Sequence, residues 1–360
     1  MTGVTLHRVN ARGGALFARS QARHARTSVL LLGVALAWCR ASSAASLDPG
    51  AMPAEYARLA SQSLLIDVAQ AGARLVAVGE RGHILLSDDQ GRSWRQAQTV
   101  PTQNLLTGVC FADERRGIAV GHDEIILTTV DAGETWTRRH YAPEAQQPLL
   151  DVLCNGQSAI AVGAYSAYFS SSDFGATWTE RKFTAATAPA DGGATNDGAT
   201  NDGVPEDFHL NRIAAASGSR VYIAAEAGHL YRSDDAGATW KALPSPYEGS
   251  FFGVLPLSVD SVVAYGLRGH LYRSDDAGAT WRRIETHTDS MLNDAVRLPT
   301  GGIAVVGLSG TVLRSDDGER FALAQQSDRK GLSAVLPAGA SNLVTVGEGG
   351  VKRITRSPAP

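Results

Sequence analysis

The stretch Ser87-Asp88-Asp89-Gln90-Gly91-Arg92-Ser93-Trp94 follows the pattern Ser/Thr-x-Asp-x-Gly-x-Ser/Thr-Trp, and this pattern recurs along the chain. Five of the six tryptophans end a copy of it, at intervals of 42, 42, 62 and 41 residues: Trp94, Trp136, Trp178, Trp240 and Trp281. A period near 42 residues with one tryptophan per unit is typical of a β-propeller blade, a four-stranded sheet that buries its faces only against neighbouring blades. The motif therefore predicts an array of blades.

Seven units can be counted from the second strand of each blade. A glycine ends that strand in six units, and an alanine replaces it in the fourth: Gly79, Gly121, Gly163, Ala225, Gly266, Gly307 and Gly347. The sixth motif is one residue short and ends in Phe321, and the seventh unit has no motif. Since residues 332–354 have room for three strands only, we predict that Glu55 to Ser61 supplies the outer strand of the last blade. The predicted fold class is an all-β, seven-bladed propeller whose ring is closed by an N-terminal strand.

The first 45 residues have the features of a secretory signal peptide. Six arginines and no acidic residue accompany an apolar run from Val29 to Cys39, and small residues follow at 41–45. The run has eleven residues, well short of the roughly 20 that span a bilayer, so we predict cleavage after Ala44 or Ala45 rather than a retained anchor. The chain is thus divided into a signal peptide, 1–45, and a single propeller domain, 46–360. We expect an exported, periplasmic protein.

The charge of the predicted mature chain disfavours two classes of partner. Loss of six arginines takes the formal net charge from −3 to −9. Such a field repels nucleic acid and anionic lipid, so neither is predicted as a partner and no direct insertion into a bilayer is expected.

Two cysteines remain in the predicted mature chain, Cys110 and Cys154, at matching positions of successive blades. An export compartment would permit a disulfide, but the distance expected between neighbouring inner strands favours two buried free thiols.

The 62-residue interval contains an insertion of about 20 residues, 184–207, with the tandem sequence Gly-Ala-Thr-Asn-Asp-Gly. A polar, glycine-rich segment has little apolar surface to bury, so we predict a disordered loop between the third and fourth blades.

The repeated polar residues are predicted to be structural. The motif aspartates are suited to accept hydrogen bonds from the N–H groups of their own turn, and the tryptophans to pack between sheets. His83, His229 and His270 each stand four residues before a motif serine and therefore share one register of the third strand. Residues in one register of different blades do not converge on a metal ion. No cofactor, metal site or catalytic residue is predicted.

Several segments resemble one family of exported propellers. The motifs are Asp-boxes, and they follow strands such as Ile118-Ala119-Val120-Gly121-His122-Asp123 and Ala161-Val162-Gly163-Ala164-Tyr165. This pattern is similar to that of the photosystem II stability/assembly factor family, over nearly the whole predicted mature chain. The resemblance implies a non-enzymatic scaffold that binds a membrane-protein assembly intermediate outside the cytoplasm. The partner could then be an envelope membrane protein or a transporter component.

Asp-boxes also occur in sialidases, so two alternatives remain: a glycoside hydrolase and a glycan-binding propeller. A sialidase-like site needs an Arg-Ile-Pro element, which this chain lacks. The nearest string, Asn211-Arg212-Ile213-Ala214, falls inside an inner strand and has no proline. Convergence of two other carboxylates stays possible on sequence grounds.

A binding site is expected on the face opposite the Asp-boxes, which we call the upper face. The turns between second and third strands and the connections between blades open there, and their residues differ from blade to blade. The predicted partner-binding residues are Arg81, His122, Asp123, Tyr165, His209, Asn211, Glu226, Tyr247, Glu248, Phe251, Arg268, Arg329 and Glu348.

Overall fold

The structure, a computed structural model, describes residues 48–186, 208–339 and 342–355. These residues form seven sheets in propeller order, and no α-helix occurs among them. The predicted seven-bladed β-propeller is confirmed. The predicted signal peptide and residues 187–207 of the insertion lie outside the described ranges.

The strands of each blade run in sequence from the centre of the ring outward, except in blade 4, where the strand that is first in sequence is outermost in the sheet. Blade 1 contains β1 (Leu65–Ala71), β2 (Arg74–Gly79), β3 (Ile84–Ser87) and β4 (Arg95–Gln96). Blade 2 contains β5 (Leu106–Phe111), β6 (Gly117–Gly121), β7 (Ile126–Thr129) and β8 (Thr137–His140), and blade 3 contains β9 (Leu149–Asn155), β10 (Ser158–Gly163), β11 (Tyr168–Ser171) and β12 (Thr179–Glu180). Blade 4 contains β13 (Ala185–Ala186), β14 (Leu210–Ala215), β15 (Val221–Ala225), β16 (Leu230–Ser233) and β17 (Trp240–Ala242). Blade 5 contains β18 (Phe251–Pro256), β19 (Val262–Gly266), β20 (Leu271–Ser274) and β21 (Arg282–Ile284). Blade 6 contains β22 (Leu292–Arg297), β23 (Ile303–Gly307), β24 (Thr311–Ser315) and β25 (Ala322–Gln325), and blade 7 contains β26 (Leu332–Ala338), β27 (Asn342–Gly347) and β28 (Lys352–Ile354).

Short 3₁₀ turns connect several of these strands. Five of them link a second strand to a third: Glu80–Gly82, His122–Glu124, Ala164–Ser166, Leu267–Gly269 and Leu308–Gly310. Three lie elsewhere, at Pro49–Ala51, Ala60–Gln62 and Pro143–Ala145. The strand directions place the turns between second and third strands on the same face as the blade-to-blade connections, as predicted.

The second strand of each blade is almost completely buried. In blade 1, Leu75, Val76, Ala77 and Val78 are all buried, because neighbouring blades cover both faces of the sheet. Burial on both faces removes the alternation of polar and apolar residues and explains the continuous apolar runs in the sequence.

The Asp-boxes form the turn that the sequence predicts. In the box of blade 3, Asp173 accepts hydrogen bonds from the N–H of Thr177 (2.9 Å) and from its hydroxyl (2.7 Å). These bonds stabilise the carboxylate and lower the pKa of Asp173 to about 2. Gly175 has a φ of +73°, in the left-handed region that favours glycine. The degraded box of blade 6 forms a similar turn, in which Asp317 accepts the N–H groups of Glu319 and Arg320.

The motif tryptophans pack between blades, as predicted. Trp136 of blade 2 is buried in one cluster with Val76 and Leu86 of blade 1. Its indole N–H donates to the carbonyl of Gly133 at 2.9 Å. Each Asp-box thus joins its own blade to the preceding one.

The predicted outer strand of blade 7 is not observed. Residues 55–61 form no strand, and blade 7 has three strands within the described residues. The N–H of Ala54 instead donates to the Val100 carbonyl, and the N–H of Ala57 to the side chain of Gln96, so the segment first contacts blade 1. Its end contacts blade 7 without forming a strand, since Ser61 accepts the N–H of Val351. The ring closes through packing of β1 on β26 and β27, and through Trp94, which contacts the core of blade 7.

The prediction of two free thiols is wrong. Cys110 and Cys154, each the second-last residue of its strand (β5 and β9), form a disulfide with a Cα–Cα distance of 5.7 Å. These inner strands pack directly on each other, which brings the two residues closer than we expected.

The insertion begins with a strand rather than a loop. Ala185 and Ala186 form β13, which pairs parallel to β17 and makes blade 4 five-stranded. The sheet therefore extends into the start of the predicted loop.

Candidate functional site

A repeated backbone conformation presents one side chain per turn on the upper face. The second residue after the second strand has a positive φ between +51° and +57° in six blades: Arg81, Asp123, Tyr165, Ala227, Arg268 and Ser309. We call these residues the crown. A left-handed conformation costs a non-glycine residue on the order of 1 kcal/mol or more. The Asp-box turns of the opposite face repeat a positive φ in the same way, at Gln90, Ala132, Phe174, Ala236 and Ala277, so the conformation belongs to the fold and does not mark a site by itself. All six belong to turns that the fold repeats, but their side chains have different chemistry.

The crown side chains are accessible. Arg81, Ala227, Arg268 and Ser309 are exposed, Asp123 is half-buried, and Tyr165 has 52% of its surface exposed. Because the turn requires a backbone conformation but no particular side chain, the identity of each crown residue is free to serve a partner. The predicted residues Arg81, Asp123, Tyr165 and Arg268 therefore form one ring of candidate contacts.

Three predicted residues meet between blades 3 and 4. The ring of Tyr165 packs edge-on against His209, with 5.1 Å between centroids. His209 Nδ1 lies 3.4 Å from Oε1 of Glu226. This cluster combines an exposed phenol, an imidazole and a carboxylate from three different segments of the chain.

A second group surrounds Tyr247, between blades 4 and 5. Its half-buried ring packs against His270, with 4.1 Å between centroids, and against Phe251 at 6.1 Å. Burial lowers the pKa of His270. The adjacent Glu248 is exposed. Tyr247 and Glu248 thus form the apex of an ordered loop.

Burial contradicts the prediction of Phe251 as a partner contact, whereas that of half-buried Asn211 stays a prediction beside a structural role. Phe251 has no exposed surface and belongs to the core between blades 4 and 5. The amide of Asn211 donates to the carbonyl of Phe251 at 2.8 Å, and Asn293 makes the equivalent bond to Leu332. Both predicted residues hold adjacent inner strands together.

Glu226 and Glu348 also have a repeated structural role. Each accepts a backbone N–H of the preceding blade connection, from His209 at 3.1 Å and from Gly331 at 2.9 Å. Glu80 accepts the N–H of Leu64 in the same way in blade 1. These carboxylates order the upper-face loops, and contact with a partner would be additional to that role.

The remaining predicted residues lie on the same face. His122 is exposed, and the carboxylate of Asp123 accepts from Asn104 Nδ2 at 3.0 Å. Arg329 is exposed and donates to the side chain of Gln325.

A buried ion cluster that was not predicted from the sequence lies at the centre of the ring. Arg212 on β14 lies 2.7 Å from Asp294, 3.6 Å from Asp151 and 3.7 Å from Asp67. These aspartates come from blades 6, 3 and 1, so the guanidinium of Arg212 crosses the ring axis. The signal in the sequence was one shared register: each residue is the third of the inner strand of its blade.

The three aspartates also join neighbouring blades. Asp67, Asp151 and Asp294 accept the backbone N–H groups of Val109, Ile213 and Val335, each on the next blade, at 2.8–2.9 Å. Burial raises the pKa of Asp294 to about 6 and also raises that of Asp151, while attraction to Arg212 opposes both shifts. With every carboxylate held by backbone and by one cation, the cluster is a structural centre of the ring.

Two classes of feature are not found in the described ranges. No group of three or more His, Cys, Asp or Glu side chains there could hold a metal ion. No helix in the same ranges is long and apolar enough to cross a membrane.

Comparison with known proteins agrees with the Asp-box pattern. Residues 86–242 match the family model described as photosynthesis system II assembly factor YCF48. The family resemblance is confirmed. No curated protein sequence matches this chain.

Solved structures with the same fold include two members of that family. YCF48 bound to a D1 peptide has 16% sequence identity and a TM-score of 0.61, over 82% of this chain and 94% of that one. YCF48 from Cyanidioschyzon merolae has 14% identity and a TM-score of 0.62, over 81% and 94%. The WD40 propeller of Doa1 has 13% identity and a TM-score of 0.61, over 86% and 96%. At these identities the similarity is one of fold.

Proposed function

We propose that this chain is an exported, non-catalytic propeller whose upper face binds a membrane protein of the cell envelope during its assembly. The observation that carries the proposal is the crown, in which one strained backbone position displays chemically different, accessible side chains around the ring. A repeated packing role would favour one residue type, whereas a unique partner requires different ones.

Two further observations support the proposal. The related YCF48 has been solved with a D1 peptide bound, so a propeller of this family can hold a segment of another protein. The disulfide between Cys110 and Cys154 is consistent with an oxidising compartment outside the cytoplasm. The signal-peptide prediction leads to the same compartment.

Capture of the partner from the envelope tests the proposal. The tagged full chain, produced in its native host, is recovered from detergent-solubilised envelope, and the bound proteins are identified. Arg81→Ala combined with Arg268→Ala is expected to reduce recovery of a specific membrane protein by about tenfold, because each change removes an exposed cation from the binding face.

A matched control removes two arginines from the Asp-box face, Arg115→Ala and Arg320→Ala. Recovery with this control is expected to stay within about twofold of the unmodified chain. Absence of any membrane protein, or an equal loss in both variants, would argue against the proposed binding face.

A further inference from the structure

The seventh blade ends in an open edge. In the other blades a fourth strand pairs with the third, whereas β28 is outermost in blade 7 within the described residues. An unpaired edge is a template for another strand, so natural proteins cover it or restrict what can bind there.

The register identifies the backbone groups that face this edge. The N–H of Val351 donates to the carbonyl of Ser61 at 2.9 Å, on the side away from β27. Alternate residues of an antiparallel strand direct their backbone groups to the same side. Arg353, two residues further on, therefore presents its N–H and carbonyl to the open side.

Blade 1 contains a template for the missing strand. Its β4 pairs with β3, and the chain then continues beside the Asp-box of blade 2. There the N–H of Gln98 donates to the Glu134 carbonyl at 2.8 Å, and the N–H of Trp136 donates to the Thr99 carbonyl at 2.9 Å. An outer strand thus lies between its own third strand and the Asp-box of the next blade.

The same space in blade 7 is a groove of about 500 Å³. Ser61 and residues 351–353 line one side, and the Asp-box residues 91–94 of blade 1 line the other. The groove therefore has the same two neighbours as β4 has in blade 1: the third strand of its own blade and the Asp-box of the next blade.

The charged residues of the groove indicate which kind of strand fits it. In blade 1, Arg95 on the outer strand pairs with Glu134 of the next Asp-box at 2.8 Å, and Arg282 pairs with Glu319 in the same way. Both glutamates stand two residues before the aromatic residue that ends the motif. In the groove that position is Arg92, so the charge is reversed and an acidic side chain is required opposite it.

Of the two other basic residues at the groove, Arg353 supports this preference, whereas Lys352 already has an acidic partner. Nε of Arg353 is buried and has no hydrogen-bond partner. Lys352 is paired with Asp328. A charged edge disfavours pairing with uncharged strands, which makes the groove selective for acidic ones.

The described part of the N-terminal segment reaches the groove at Ser61, which lines one end of it and leaves Arg353 uncovered. Gly50 accepts from Arg138 on blade 2, and the Glu55 carbonyl accepts from Gln96 on blade 1. Residues 48–55 therefore contact blades 1 and 2, whereas Ala57 and Ala60 pack where blade 1 meets blade 7.

We propose that the open edge of blade 7 binds a short, extended, acidic segment of the partner protein as a fourth strand, antiparallel to β28. This surface is separate from the crown. The inference rests on the proposed function for the existence of a partner and assigns it a second point of contact.

A defined peptide tests the strand site directly. The probe is a fluorescein-labelled decapeptide, (Thr-Glu-Val-Glu)₂-Thr-Glu, and its binding to the purified chain is measured by fluorescence anisotropy. A peptide with lysine in place of glutamate is the charge control. The unmodified chain is expected to bind the acidic peptide at least about tenfold more tightly than the basic one.

Three variants and one control separate backbone pairing from charge. Arg353→Pro removes the outward N–H but no bond to β27, and is expected to weaken binding at least about tenfold while Tm is retained. Arg353→Ala keeps the N–H and should weaken binding less. Arg92→Glu should reverse the preference between the two peptides, whereas Arg320→Glu, at the Asp-box of blade 6, should change affinity less than about twofold.

Equal binding of the acidic peptide to Arg353→Pro and to the unmodified chain would overturn the strand site. Dimers that dissociate in Arg353→Pro would assign the edge to a second copy, and a large fall in Tm without peptide binding would assign it to the chain itself. Either result overturns the inference.

Capture from the envelope separates this inference from the proposed function. If the envelope partner is captured normally by Arg353→Pro, the inference fails and the proposed function stands. If the peptide binds but no envelope protein is captured, the proposed function fails.

Discussion

Replacing Arg212 by methionine is expected to lower the free energy of unfolding by about 3–5 kcal/mol, because it leaves three buried carboxylates without their cation. The measurement is urea unfolding at pH 7, followed by tryptophan fluorescence. The matched control combines Arg212→Met with Asp67→Asn, Asp151→Asn and Asp294→Asn. The amides keep oxygen acceptors for the N–H groups of the next blades and carry no charge, so this variant should recover much of the loss.

The pH dependence of this defect has a definite sign. Burial raises the pKa of Asp294 to about 6 and raises that of Asp151, so the folded state binds more protons than the unfolded state above about pH 4. The stability from these protons is present at low pH and is lost as the pH rises toward the folded pKa values. Without Arg212 those pKa values rise further, and the defect should be larger at pH 8 than at pH 5. A defect independent of pH would contradict the charge explanation.

Removing the disulfide by Cys110→Ser and Cys154→Ser is expected to lower the free energy of unfolding by about 2–4 kcal/mol. The bond links residues 44 positions apart and restricts the unfolded chain, while the folded strands already lie side by side. Guanidinium unfolding with and without a reductant measures the effect. The unmodified chain should fall to the stability of the double variant when reduced, and the variant should not respond to the reductant. Two titratable thiols in the protein isolated from its own host would show that the bond does not form there.

The sequence predicted the repeated parts of this fold because their physical cause is local. An Asp-box is a turn whose donors and acceptors lie within eight residues, so its outline is visible at Ser87 to Trp94 without knowledge of the ring. The location of the upper face could also be predicted, because four consecutive strands per blade place the Asp-box turns on one face and the blade connections on the other. The sequence predicted that the crown residues lie on the upper face. It did not predict that Arg81, Tyr165 and Arg268 share a positive φ.

The missed features depend on contacts between distant blades. Arg212 lies in an ordinary inner strand, and its three partners are recognisable only when the register of all seven inner strands is compared around a closed ring. The disulfide depends on how closely β5 and β9 approach at one end, which spacing along the chain does not specify. Glu226 and Glu348 were predicted as partner contacts because their capping role occurs in three blades, too few to appear as a repeat.

We propose above all that the upper face, and not the Asp-box face, contacts an envelope membrane protein. Photo-cross-linking in living cells tests it most directly, with p-benzoylphenylalanine placed at 81 or 268 on the upper face and at 115 or 320 on the Asp-box face. We predict one membrane protein cross-linked from positions 81 and 268, and none from 115 and 320. Cross-links to that protein from the Asp-box face alone, or to no membrane protein from any position, would contradict the account.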